Sequence, residues 1–489
     1  MPNGEITAVS AIELDEPCSP CAAYERMRSG AYPWMLESAL VREDIGRYSM
    51  VGCDPYAVAS VRSGACALDE IRSVRRLDDF VETEGDAFAW LRSLMPRRPA
   101  EVPAHVADLP FLGGAVGYLG YELGAESVSR ERDGLPLPDL VFLLVDAALV
   151  FDHVLRRVWS VGLGFGGSAT EAEVNAARAS VSLAARATRL EVEARGDAGV
   201  HAWRAPFRTL PDETTLQTEA AAYAKSISEL LGEIERGNVY QVNLTQRLDT
   251  PYRGDPWQLY RVLRRGNPAP FAACIELPDV AILSSSPERF LRVDGDRRAQ
   301  SRPIKGTRPR GQSARDDAAL SDDLARSTKD RAENLMIADL VRNDLGQVCE
   351  LGSVVVPSLM AIEPYASVWQ MVTTVEGELA RDQDALDALR ACFPPGSMTG
   401  APKIAAMRYI ERLEPVRRGI YSGALGYLDV RGGVDTSVVI RSIFVRHGQA
   451  HLHVGGGVVA DSTAKGEYRE SFDKATALLD ALERSRRLE

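Results

Sequence analysis

Histidine is scarce in this 489-residue chain. His105, His153, His201, His447, His451 and His453 do not have the spacing of a metal site or a catalytic triad, so acid–base work falls to carboxylates and lysine. Cysteine is nearly as sparse. Seven are scattered along the chain, and the single C-x-x-C of Cys18 and Cys21 has no second pair to complete four zinc ligands. Free thiols in a reducing compartment are the better reading. No apolar run approaches the ~18 residues of a membrane span. The opening MPNGEITAVSAIELDEP has neither a basic nor an apolar signal region, so a cytoplasmic protein is expected. A net charge of -12 argues against a nucleic-acid surface. Walker A, G-x-G-x-x-G and H-E-x-x-H motifs are all missing, which disfavours nucleotide and zinc chemistry.

What is present is an ordinary globular composition, 45% hydrophobic and 26% charged, on a chain long enough for one large or two medium domains. Runs such as RYSMVGCDPYAVASVRSG and LVFLLVDAALVFDHVLRRVWSVGLG predict strands and hairpins through residues 1–165. Thr170 to Arg195 predicts a helix, followed by a polar, turn-prone linker, RGDAGVHAWRAPFRTLPDETT. Beyond it, EAAAYAKSISELLGEIERGN is an amphipathic helix and VYQVNLTQRLDT alternates like a strand. The expected organisation is an N-terminal region 1–170, a helix and linker 171–214, and a catalytic region 215–489. Strand-dense segments without strict alternation of helix and strand indicate an α+β sandwich.

Four segments concentrate Gly, Pro and charge beyond what a core requires. SSSPERF precedes SRPIKGTRPRG, where Lys305 lies in a Gly/Pro-bracketed turn with Glu288 upstream. A lysine in a dry pocket is a nucleophile, while a basic surface loop is the alternative. In TKDRAENLMIADLVRNDLG, Asp330 and Glu333 fall on adjacent faces of a helix whose buried stripe is read as Leu335, Met336, Leu340 and Val341. Inward-facing carboxylates suit magnesium, and a solvated acidic face is the alternative. FPPGSMTGAPK leads into a helix whose N-terminus, with Lys403, is either an anion site or a plain turn. HVGGGVVADSTAKGEYRESFDK sets bare backbone at Gly455, Gly456 and Gly457 before the i,i+3 pair Glu467 and Glu470, with Lys474 a turn further on. A tight turn and a solvated helix are the alternative there.

These segments, in this order, resemble the chorismate-utilising family of anthranilate, aminodeoxychorismate, isochorismate and salicylate synthases. The resemblance extends to PWMLESALVREDIGRYSMVGCDP and PFLGGAVGYLGYEL near the N-terminus. It implies a large α/β sandwich of antiparallel sheets flanked by helices. It also implies Mg2+ held by Glu333 and Glu470, with Glu467 and Asp330 close by, and chorismate as substrate. Arg441 and Tyr421 match residues that hold the enolpyruvyl carboxylate. Gly455–Gly457, Gly306, Thr307 and Lys474 would complete the substrate shell, and Glu288 matches the general acid. Lys305 stands where anthranilate synthases carry alanine and aminodeoxychorismate synthases lysine. Gln241 stands where isochorismate and salicylate synthases carry the lysine that activates water, and glutamine cannot take a proton. Gln370 replaces a histidine linked to pyruvate elimination.

The resemblance therefore implies amination at C4 through a Lys305 adduct, giving 4-amino-4-deoxychorismate for 4-aminobenzoate. The ammonia would come from a separate glutamine amidotransferase subunit. Anthranilate or 2-amino-2-deoxyisochorismate synthesis is the enzymatic alternative, and a non-catalytic chorismate-binding subunit the alternative of another class. Glu37 and Ser38 in MLES, with Pro270, Phe271 and Ala272 in NPAPFA, resemble a tryptophan pocket.

Overall fold

The computed structural model describes residues 5–15, 18–42, 45–75, 83–124, 134–188, 210 and 213–488. The strands of the described residues form two antiparallel sheets of 12 strands each. The first sheet starts with Ile6–Glu13, Arg157–Gly166, Ala147–Asp152, Tyr48–Gly52 and Trp34–Glu37. It continues directly into Phe271–Leu277, Val280–Ser286, Ser442–Arg446, Gln449–Val458 and Gln241–Pro251. The second runs from Ile304–Pro309 through Val368–Glu378, Arg298–Arg302, Arg289–Val293, Val434–Val438 and Ala424–Asp429. It then passes into Gly114–Leu119, Leu140–Val145, Ala57–Arg62 and Ala65–Glu70. N-terminal and C-terminal strands are thus hydrogen-bonded neighbours in both sheets, Leu36 opposite Ala273 and Gly117 opposite Gly426.

The expected sandwich of antiparallel sheets and flanking helices is the observed architecture. Its largest core lies between the sheets, where Trp34, Phe111, Val116, Phe142, Ile282 and Leu425 pack. Strand Leu140–Val145, an unbroken LVFLLV, is buried at all six positions, as a strand covered on both faces must be. Trp34–Glu37 shows the sorting of the two faces. Trp34 and Leu36 join the inter-sheet core, Met35 joins a second core under the helices, and Glu37 follows Met35 to that side.

The helix expected at Thr170–Arg195 is observed as Ala169–Thr188, its expected last residues 189–195 lie outside the described residues, and so do residues 196–209 and 211–212 of the linker. The amphipathic helix Ala220–Glu235 and the strand Gln241–Pro251 form as the sequence predicts. Helix Thr328–Gly346 starts at Ser327, whose hydroxyl accepts the Asp330 amide. Its buried face differs from the predicted stripe. Asn334, Ile337, Ala338, Val341 and Leu345 are buried, whereas Leu335 is 53% exposed and Met336 and Leu340 are only partly covered. The polar Asn334 anchors this face, donating to Met371 O at 3.1 Å, which hydrophobicity alone does not reveal. All seven cysteines are free thiols. Among the described residues no helix is long and apolar enough to cross a membrane.

Candidate active site

The chain crosses from the first sheet to the second between Val280–Ser286 and Arg289–Val293, and returns between Val434–Val438 and Ser442–Arg446. The two crossings lie side by side. Val438 N donates to Glu288 O, and Ser285 N to Arg441 O, each at 3.1 Å. Glu288 and Arg441, far apart in sequence, are therefore fixed together by backbone. Glu288 is buried, and burial pushes its carboxyl up to about 7 against the Ser397 hydroxyl, the Lys305 charge and the Ile304 amide. A carboxyl protonated near neutrality suits a general acid. Arg441 adopts a left-handed backbone, φ +53°, which a non-glycine residue adopts rarely. Its guanidinium donates to Lys474 O at 2.8 Å.

Lys305 reaches this place because its strand is bulged. Ile304 pairs with Val372 and Thr307 with Gln370, so three steps on one strand oppose two on the other. Gly306 takes φ +90° in the bulge, and a Cβ there would lie 3.0 Å from both Asp330 Cβ and Leu324 Cδ1. The bulge aims Lys305 inward, where its ammonium donates to Asn243 Oδ1 at 3.2 Å. Burial lowers its pKa, with Lys474 acting in the same direction and Glu333, Glu288 and Glu470 opposing. Thr307, next along, is exposed on the strand edge.

The acids come from two helices. Glu333 projects from Thr328–Gly346, while Glu467 and Glu470 project from Ala464–Arg486, which Thr463 caps. Burial raises Glu333 and Glu467, and Glu470 pushes each of them further in that direction. Burial also raises Glu470, but Lys474, Lys329 and Lys305 outweigh it and leave its pKa lowered. Lysines already stand against these acids, Lys329 at 3.7 Å from Glu333 and Lys474 at 2.8 Å from Glu470. Asp330 is instead paired with Arg308 at 2.9 Å.

Among the described residues no three acids converge in metal-ligating geometry. The donor set nonetheless fits a hard cation. It is all oxygen, and Glu467 Oε2 is buried without a hydrogen-bond partner. Gly455–Gly457 form part of strand Gln449–Val458 rather than a turn, paired with Thr245, Leu244 and Asn243. A Cβ on Gly456 would come within 2.6 Å of Glu467 Oε2, so the glycine makes room for that carboxylate. Lys474 ties the glycine strand to the helix through Gly455 O at 2.9 Å.

Gln241 closes the floor. It is fully buried, and neither its amide oxygen nor its amide nitrogen has a partner. Tyr421 is buried and stacked on His453 at 4.8 Å. Sequence reasoning missed Asn243 and Ser397, which lie unremarked inside the motifs YQVNLT and GSMTGAPK. It also missed the buried pair Arg418–Glu414, whose i,i+4 spacing in ERLEPVRR reads as an ordinary surface pair. Lys403 is no anion site. It donates to Asp344 at 2.7 Å and to Cys392 O at 2.8 Å, and so locks the helix start to the core.

Glu37, Ser38, Pro270, Phe271 and Ala272 do come together, on a separate cavity of about 790 Å³. This cavity is larger than the recess beside Glu288 and Ser397, but Glu288, Glu333, Glu467, Glu470 and Lys305 do not line it. The unpartnered buried polar atoms, not the larger volume, mark the chemical site. The Glu37 carboxylate turns away from the cavity to Arg264, at 2.5 and 2.7 Å, and to Tyr260 at 2.9 Å.

The family described as chorismate binding enzyme matches residues 39–480. The chain belongs to the chorismate-binding enzyme family. Aminodeoxychorismate synthase component 1 of Klebsiella aerogenes is 38% identical over 97% of this chain and 100% of its own length. Aminodeoxychorismate synthase of Streptomyces griseus is 42% identical over 93% of this chain, which spans 61% of that relative's length. The crystal structure of anthranilate synthase component I from Streptococcus pneumoniae TIGR4 superposes with TM-score 0.75 at 27% identity, covering 90% of this chain and 94% of that one. Membership of the chorismate-binding enzyme family accounts for the shared sandwich.

Proposed function

We propose that this chain aminates chorismate at C4 to 4-amino-4-deoxychorismate, on the way to 4-aminobenzoate. The observation that carries the reading is Lys305, an amine that a bulge turns inward to Asn243 and whose charge acts on the raised carboxyl of Glu288. The Lys305 lone pair forms a bond to C2 as the two ring double bonds shift, C1=C2 to C1=C6 and C5=C6 to C4=C5, and the C4–O bond breaks. Glu288 gives its proton to the departing hydroxyl, which leaves as water. Ammonia then adds at C4 while both double bonds shift back and the lysine nitrogen leaves C2 with the bonding pair. Arg441 and Tyr421 bind the enolpyruvyl carboxylate. Gly306, Thr307, Gly455–Gly457 and Lys474 line the substrate, and Gln241 supplies no base for water.

Glu333 and Glu470, with Glu467 beside them and Asp330 behind, would hold Mg2+, which when bound neutralises the ring carboxylate of chorismate. Relatives named component 1 support a second subunit, for which we infer a glutamine amidotransferase that delivers ammonia. Seven free thiols fit work in the cytoplasm. The five residues around Glu37 and Pro270 are proposed as the counterpart of the tryptophan pocket.

The test is product identity. With chorismate, Mg2+ and ammonium salt, the chain should yield an aminated product that aminodeoxychorismate lyase converts to 4-aminobenzoate, and Lys305→Ala should lose it. Anthranilate or the 2-amino isomer as product would overturn the reading.

A further inference from the structure

Resting on that reaction, we propose that Asn243 is a positioning residue whose side-chain amide joins the nucleophile Lys305 to the loop holding the acid Glu288. Asn243 lies in the buried stretch Gln241–Leu248 of its strand, opposite Gly457. Its Nδ2 donates to Ser397 O at 2.8 Å. A carbonyl oxygen has no hydrogen to give, so the amide has one orientation, and Oδ1 is the atom that meets Lys305 Nζ at 3.2 Å. The Ser397 hydroxyl in turn bonds the Glu288 carboxyl. One amide therefore sets the distance between the group that attacks C2 and the group that protonates the leaving oxygen.

The frame around it is rigid. Arg418, fully buried, donates to Asn243 O at 2.7 Å and to Met398 O at 2.8 Å, holding the strand and the Ser397 loop in register. A Cβ on Gly457 would sit 3.1 Å from Asn243 Oδ1, so the facing strand also closes on the amide. The choice of an amide rather than an acid has a reason. Lys305 already faces Glu333, Glu288 and Glu470, with Lys474 the nearby cation. Another carboxylate would favour the ammonium form, which has no lone pair to attack with, and would lose the N–H that grips Ser397. A neutral oxygen steers the amine without that cost. As the attacking nitrogen gains positive charge, its hydrogen bond to Oδ1 strengthens, so the contact acts on the transition state more than on bound chorismate.

The experiment compares Asn243→Ala, Asn243→Asp and Lys305→Ala in the full chain with chorismate, Mg2+ and ammonium salt. It measures kcat and KM, and follows the covalent Lys305 adduct by intact mass without ammonia. Asn243→Ala should lower kcat by roughly 30-fold or more, within the range of losing one oriented transition-state hydrogen bond, with KM changed less than about threefold. Adduct formation should slow in parallel. Asn243→Asp, nearly isosteric and the safer variant for folding, should fail to restore the rate. Wild-type kcat in either Asn243 variant, or a loss confined to KM, overturns the proposal. If Lys305→Ala is inactive while the Asn243 variants are fully active, only the role of Asn243 falls. If Lys305→Ala is itself active, the nucleophile reading falls, and the positioning role with it.

Discussion

Two spaces in this molecule are lined by polar side chains, and they differ in how completely those side chains are satisfied. Around the larger cavity, Glu37 is held by Arg264 and Tyr260, and Ser38 donates to Tyr48 O at 2.7 Å. Arg289 is paired with Asp435, and Arg431 with Asp429. Around Lys305, by contrast, the Gln241 amide, Gln370 Oε1 and Glu467 Oε2 are buried with no partner. Burying a polar atom without a hydrogen bond costs about 1–3 kcal/mol. Such atoms also occur in the core, at Trp34 Nε1, Trp90 Nε1 and Trp257 Nε1, so position beside the acids and the glycine strand, not orphaning alone, singles out Gln241 and Glu467 as groups a ligand can complete. Cavity size does not separate the two.

The sharpest way to break this contrast is at Glu288, where the effect should be largest. Glu288→Gln should reduce kcat by about 10²–10⁴-fold, the usual worth of a positioned general acid. With its carboxyl pushed up to about 7, wild-type activity should fall as pH rises above that value, and the variant should lack this limb. The stability sign follows from the same shift. A carboxyl raised above its unfolded value of about 4.5 favours the fold at low pH, and that contribution is lost as pH rises towards 7. Glu288→Gln should therefore be more resistant to urea than wild type above neutrality, by up to about 3 kcal/mol. Equal urea midpoints at pH 8 would mean that Glu288 is not desolvated.

At the satisfied cavity the outcome should be reversed. Arg264→Ala leaves the Glu37 carboxylate, 3% exposed, without its ion-pair partner. It should cost about 3 kcal/mol of folding free energy, read from chemical denaturation, while kcat per folded molecule stays within about twofold. A large loss of kcat with unchanged stability would dissolve the distinction between the two spaces.

A smaller effect is expected at Glu467. Glu467→Gln should weaken Mg2+ binding to the free protein, read by calorimetry, by roughly tenfold, since coordinating groups and their close supports contribute on that scale. Folding stability should change little, because the orphaned oxygen has no protein partner to lose. Unchanged Mg2+ affinity would remove Glu467 from the cation site.

How much of this was legible in the sequence depends on the kind of signal. The motif order led to Lys305, Glu288, Glu333, Glu467 and Glu470, because these residues sit in Gly/Pro-rich or acidic segments that a core does not require. The alternation in YQVNLT correctly predicted a strand. Hydrophobicity misjudged the Glu333 helix, placing Leu335 inside and giving no sign of Asn334, because an amide bonded to a backbone carbonyl and a threonine hydroxyl is buried as readily as an alkyl group. Lys403 looked free because its partner Asp344 lies 59 positions away. Glu37 does line the expected cavity, but nothing in its segment shows that its carboxylate is already held by Arg264 and Tyr260. Asn243 carried no signal, since a lone asparagine in a strand announces nothing until its two partners are known.

The smallest expected effect is the most telling for the comparison. If the larger cavity is a completed piece of structure, tryptophan added to the assay at millimolar concentration should change the amination rate less than twofold. The physical ground is the orientation of Glu37. Its two oxygens already accept from Arg264 and Tyr260, so an incoming ammonium group would have to compete with a guanidinium held at 2.5 Å in a buried setting. Breaking such a pair costs several kcal/mol, more than one new surface-accessible hydrogen bond returns. Phe271 and Met50 line the larger cavity and neither lines the recess beside Glu288. Strong inhibition by tryptophan would show that the pairs around Glu37 rearrange on binding and that the two spaces are coupled through the shared sheet. Binding seen by calorimetry without inhibition would leave the cavity a filled structural site.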